Sequence, residues 1–153
     1  MSYVIRRVES SEAAAVYAVE RACFHDPYPP TLIDYLMHKE HERFFVAVEA
    51  GEILGYAVGT SHGAEGHIVS VAVDPRHRRE GIGTALLSSV MLQLSSEGVE
   101  EAHLEVRKGN TAAILFYEQM GFRKSCEISH YYPDGDDALV LKGPTRLLTF
   151  HNR

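Results

Sequence analysis

Apolar residues recur along this chain at two spacings, and the switches between them mark out its elements. From Glu12 to Cys23 Ala, Val and Tyr return at helical intervals behind serines suited to capping, which predicts a first helix. "HDPYPP" interrupts it, because three prolines forbid regular helix, and "TLIDYLMHKE" resumes an amphipathic pattern for a second helix. "RFFVAVEAGEILGYAVGTSH" reads as two β-runs joined at Ala50-Gly51, and "GHIVSVAVDP" as another, ended by Asp74-Pro75. Leu86, Leu87, Val90, Met91 and Leu94 share one face of a third helix that stops near Gly98. In "EAHLEVRKG" Leu104 and Val106 face one way and His103, Glu105 and Arg107 the other, the alternation of a strand. Asn110 and Gly121 bracket a fourth helix. "FRKSCEISHYY" and "DALVLKG" follow as two closing strands around the turn "PDGD".

The order is a strand, two helices, three strands, a helix, a strand, a helix and two strands, which predicts an α/β or α+β fold with a mixed sheet. The strands ending at Asp74 and Arg107 are joined through a helix, so they are expected to be parallel neighbours. Ligands favour the carboxyl ends of such strands. No repeat, linker or low-complexity tract interrupts the 153 residues, which fit a single domain, 1–153. The net charge of −6 argues against a global pull toward nucleic acid or anionic lipid, so any anion site must be local. Two cysteines without a pairing motif, no signal-like start and no long apolar run predict a soluble, cytoplasmic protein with reduced thiols.

One segment does not fit simple patterning. "RHRREGIGTALL", residues 76–87, places Gly81 and Gly83 where the third helix begins, behind Arg78 and Arg79. A turn running into a helix presents free N–H groups with the positive end of the helix dipole behind them, and glycines let phosphate oxygens approach the backbone. A solvated connection is the alternative reading of the same residues. The segment has neither the P-loop spacing nor the third glycine of a dinucleotide fingerprint, which argues against ATP and NAD.

With its surroundings, the segment resembles the GCN5-related N-acetyltransferase (GNAT) superfamily. Arg78-Arg79-Glu80-Gly81-Ile82-Gly83 fits the Arg/Gln-x-x-Gly-x-Gly/Ala acetyl-coenzyme A signature, after "VSVAVDP" and before an amphipathic helix. "LEVRKGNTAAILFYEQMGF", 104–122, and "YYPDGDDALVL", 131–141, resemble the RimI/Ard1 branch, which acetylates protein N-termini. The likeness covers most of residues 3–142, leaving 143–153 as a tail. It implies a mostly antiparallel central sheet with a parallel pair at the acetyl-CoA site, flanked by four helices. It also implies that Val71, Ala72 and Val73 line the coenzyme arm, with Arg78, Arg79, Glu80, Gly81, Ile82, Gly83, Thr84, Asn110 and Tyr117 as further coenzyme contacts.

The chemistry constrains the acceptor. Amide formation from a thioester needs a neutral amine; at pH 7.5 neutralising lysine (pKa about 10.4) costs about 4 kcal/mol, against well under 1 for an α-amine (about 7.7–8). A modest base therefore suffices for an N-terminal acceptor. The resemblance makes Glu105 the proton acceptor, through a water, and Tyr117 the donor to the coenzyme A sulfur. On the residues alone Glu105 is an exposed acid paired with Arg107, Tyr117 a packed tyrosine and Asn110 a helix cap. His67 is a second base candidate, its alternative being a surface histidine, and His103 shares a strand face with Glu105.

For the peptide, the resemblance points to the loop Phe24–Pro30, notably Phe24 and Tyr28, and to Tyr131 and Tyr132. The acidic turn Asp134–Asp137 can favour a cationic amino end, and Lys108-Gly109 departs from the branch pattern. His38 and His41 on a charged helix read as solvated, and no metal is expected. The expected partners are the N-termini of nascent or ribosomal proteins, with the ribosome or an auxiliary subunit as further candidates, no nucleic acid or membrane contact, and a monomer or weak dimer. Two other functions remain open, an acetyltransferase for lysine, polyamines or other small amines and a non-catalytic acyl-CoA sensor.

Overall fold

A computed structural model of the protein describes residues 2–146, and these fall into two compact units. The first comprises the residues up to 60 together with 68–93. It opens with strand β1 (Val4–Arg7), a 3₁₀ turn (Ser10–Glu12) and helices α1 (Ala13–Cys23) and α2 (Pro30–Lys39). The serines do not cap α1. They lie inside the 3₁₀ turn, where Glu12 Oε1 reaches back to the Glu9 amide at 2.8 Å. Nor do all three prolines exclude helix, since Pro30 opens α2 at a position where its missing N–H would have no partner.

Strands β2 (Phe44–Glu49) and β3 (Glu52–His62) form the expected hairpin, with positive φ at Ala50 (51°) and Gly51 (78°). A primed turn of this kind matches strand twist. β1 adds to β2 antiparallel. Val16, Val19, Ile33, Leu36, Met37, Phe44, Val46 and Tyr56 pack into one buried cluster that joins both helices to this sheet. Strand β4 (Glu65–Val73) leads through a 3₁₀ turn into helix α3 (Ile82–Ser96).

The second unit comprises residues 61–67 and those from 94 onward. It holds the start of β4, strand β5 (Glu101–Arg107), helix α4 (Thr111–Gln119) and strands β6 (Arg123–Ile128) and β7 (Ala138–Pro144). β4 and β5 are parallel, as the crossover rule requires, and pair as Glu65↔Glu101, Gly66↔Ala102 and His67↔His103. β7 pairs antiparallel with both β5 and β6, so the ladder runs β1-β2-β3-β4-β5-β7-β6. β6 ends at Ile128, earlier than its pattern predicts, and Tyr131 and Tyr132 lie in the connection to β7. β7 in turn continues two residues into the expected tail, Pro144 and Gly143 pairing with Glu101 and Ala102. Residues 147–153 of that tail lie outside the described residues.

Candidate active site

Each unit carries one part of the chemistry. In the first, Arg79 (φ 67°) and Gly81 (φ 81°) turn the chain left-handed immediately before α3. A Cβ on Gly81 would meet nothing closer than the Tyr3 hydroxyl at 3.7 Å, so backbone conformation demands glycine there. The first i→i−4 bond of α3 runs from the Ala85 N–H to the Gly81 carbonyl at 3.1 Å. The amides of Ile82, Gly83 and Thr84 precede it and have no acceptor within the helix. Ile82 is 1% exposed, so its side chain is core and only its amide is available to a ligand. Glu80 lies 3.6 Å from His77 Nδ1. These features suit a diphosphate: open amides at a helix start, two arginines, and no side chain at position 81.

The strand edge beside this turn is held in place from three directions. The Val73 carbonyl accepts from Arg78 Nε at 3.2 Å and from the Cys23 thiol at 3.1 Å, and the Asp74 amide donates to Leu54 O at 2.8 Å. Arg78 is thus tied to the strand end and does not only add charge. Ala72 is buried, Val71 and Val73 half-buried. A Cβ on Gly55 would stand 2.7 Å from the Ala72 carbonyl oxygen, so this glycine permits the close approach of β3 to the strand. Gly55, interrupting the apolar run "EILGYAV", is the local sign in the sequence of that close approach. Burial pushes the Cys23 thiol above its ordinary pKa, with Arg78 opposing.

In the second unit the parallel register sets His67 beside His103, their rings stacked at 4.5 Å and 9° from parallel. Glu105, two residues beyond His103 on the same face, receives both. His67 Nε2 lies 2.7 Å from Oε1, and His103 Nε2 3.4 Å from Oε2. The carboxylate is 17% exposed and the imidazoles about a third. The hydrogen bond from His67 holds the Glu105 carboxyl below the usual range against the opposing effect of burial, with both histidines adding attraction. Glu105 therefore does not pair with Arg107, and His67 is not a solitary surface histidine. Arg107 instead bonds Asp134 at 3.0 Å and Asp136 at 2.9 Å and lies over the Tyr132 ring at 4.1 Å, so those two acids of the turn already have a cation.

The donor atoms of His67, His103 and Glu105 lie within 4.8 Å of one another, close enough to be tested as a metal set. Each imidazole lone pair lies in its own ring plane, and two near-parallel planes do not converge on one ion without rotation of a ring. The arrangement suits proton exchange between imidazole and carboxylate better than shared coordination.

Of the remaining predicted residues, Asn110 caps α4, its Oδ1 accepting from the Ala113 amide at 3.2 Å. Tyr117 is half-buried on α4 with its ring edge-on to Phe122 at 5.8 Å. Tyr131 is exposed and meets Tyr132 edge-on at 5.0 Å. Burial and the Glu105 charge push the Tyr131 phenol above its ordinary pKa, which places it within electrostatic reach of that carboxylate. In the first unit Phe24 is exposed and Tyr28 half-buried.

Comparison with known proteins identifies the family and the fold. The family described as Acetyltransferase (GNAT) family matches residues 13–122. The chain is 36% identical over 157 residues to an N-alpha-acetyltransferase of Sulfurisphaera tokodaii, covering 93% of each chain. It is 30% identical over 145 residues to the ribosomal protein bS18-alanine N-acetyltransferase of Escherichia coli K12, covering 92% of this chain and 96% of that one. The crystal structure of Ard1 from Thermoplasma volcanium superposes with a TM-score of 0.90 at 30% identity, covering 94% and 98%.

Proposed function

Since the chain belongs to the acetyltransferase (GNAT) family, we propose that it transfers acetyl from acetyl-CoA to the free α-amine of protein N-termini, with the His67–Glu105 pair as proton acceptor. The observation that carries the assignment of the base is the 2.7 Å contact between His67 Nε2 and Glu105 Oε1. A carboxylate whose own pKa is lowered is a weak base. Bonded to an imidazole, it anchors a second proton-accepting group, and an α-amine of reference pKa about 7.7–8 asks less of such a pair than a lysine near 10.4.

Bound acetyl-CoA supplies the activated thioester. The amides of Ile82, Gly83 and Thr84 fit its diphosphate, Arg78 holds the Val73 edge beside them, and in this reading the Tyr117 phenol is the proton donor. Tyr131, within reach of the Glu105 charge, is suited to hold the acceptor near the base. In this reading the acceptors are nascent or ribosomal proteins in the cytoplasm.

Mass spectrometry of peptides incubated with the protein and acetyl-CoA tests the assignment. Free N-terminal peptides are expected to gain one acetyl group, including those with blocked lysines. Acetylation of N-terminally blocked peptides or polyamines instead would move the acceptor class, and coenzyme binding without transfer would make the protein a sensor.

A further inference from the structure

One buried carboxyl takes no part in acetyl transfer. Glu20 on α1 is 2% exposed, and both of its carboxylate oxygens have partners. Oε1 accepts from the Tyr56 hydroxyl at 2.5 Å, and that hydroxyl lies 3.2 Å from the Ser70 hydroxyl on β4. Oε2 accepts from the backbone amide of Tyr28 at 2.9 Å. Burial raises the Glu20 pKa against these hydrogen bonds, so the site holds a carboxyl at a desolvation penalty.

The Tyr28 amide has an unusual place in the chain. Residues 27, 29 and 30 are prolines and carry no N–H, so Tyr28 is the single backbone donor in the stretch 27–30. Those four residues therefore have one backbone hydrogen-bond donor, and a buried carboxylate takes it. The Tyr28 hydroxyl also reaches the Val69 carbonyl of β4 at 3.4 Å. Through Tyr28 on one side and Tyr56–Ser70 on the other, Glu20 ties this stretch to the strand that continues into Val71–Val73.

We propose that Glu20 is a positioning residue for the acceptor: by holding the Tyr28 amide it fixes the Phe24–Tyr28 segment at one height over β4, and with it the wall that meets the first residue of the peptide. This rests on the N-terminal acetyltransferase reading given above. The requirement is for a hydrogen-bond acceptor at Oε2, not for charge. A glutamine can turn its carbonyl to the Tyr28 amide and its amide to the Tyr56 oxygen, which can accept, whereas leucine fills the space and offers neither.

Amide hydrogen exchange and steady-state kinetics on the full chain test this together. In the wild type the Tyr28 amide is expected to exchange slowly. Glu20→Leu should release residues 24–28 and raise KM for an N-terminal peptide roughly tenfold, well beyond any change in KM for acetyl-CoA, and Glu20→Gln should restore both. Rapid exchange at Tyr28 in the wild type would overturn the latch even if the leucine variant failed to fold. A latch lost in Glu20→Leu without a rise in peptide KM would overturn the positioning role. Slow exchange at Tyr28 in a protein that acetylates no peptide would leave the latch and remove the functional reading.

Discussion

The turn at residues 79–84 and the cluster His67–His103–Glu105 solve opposite problems by opposite means. The turn offers main-chain amides, and its intervening side chain, Ile82, is buried in the core. The cluster offers only side chains, projecting from two strands that the register sets side by side at His67↔His103. A phosphate needs several donors of fixed direction, which a helix start provides whatever its side chains. A travelling proton needs a group that titrates, which no backbone provides. The two regions should therefore fail differently. The turn should be sensitive to loss of glycine and indifferent to many other changes, and the cluster sensitive to single atoms.

The largest effect should come from one such atom. Glu105→Gln is expected to lower kcat by about 10²-fold or more. Without the carboxylate, turnover depends on amine already neutral, so the pH optimum moves upward toward the α-amine pKa of about 8. A pH–rate profile that keeps its shape would remove Glu105 from proton transfer.

Next in size is the turn. Gly81→Ala places a Cβ at φ 81° at a cost of about 1–2 kcal/mol. The expected result is a KM for acetyl-CoA raised by roughly tenfold, with kcat at saturating coenzyme affected far less. Isothermal titration with coenzyme A measures the same loss directly, and unaltered affinity would separate the turn from the diphosphate.

The smallest effect is on stability, and it has opposite signs at two carboxyls. Glu105 has a folded pKa below its unfolded one, so its contribution is present above the unfolded value of about 4.3 and lost as pH falls through the folded value. Glu20 has a raised folded pKa, so its contribution is present below that unfolded value and lost as pH rises through the folded one. Relative to the wild type, Glu105→Gln should lose its disadvantage in acid, while Glu20→Gln should gain ground as pH rises. Denaturant midpoints followed from pH 8 down to well below 4 read both. Parallel shifts in the two variants would contradict the burial and bonding described here.

Much of this molecule is written in short-range terms. The Ala50-Gly51 hairpin, the Asn110 cap, the alternation in 101–107 and the glycines before α3 each depend on residues within a few positions of one another. Periodicity and turn chemistry act over that distance. The parallel pair followed from the helical crossover that joins its two strands. The end of β6 was misplaced because the two tyrosines continue a strand-like composition after pairing has stopped.

What the sequence by itself determined is the order of elements, the open helix start and the face of β5 that carries Glu105. Only the tertiary structure decided which groups that face would meet. His67 and Glu105 are 38 residues apart, and the register of β4 on β5 brings their side chains together while sending Arg107 to the acidic turn. The Glu20 latch spans α1, the proline-rich connection and two strands in the same way. Side-chain partners are chosen by packing of distant segments into a common interior, and no local spacing encodes that choice.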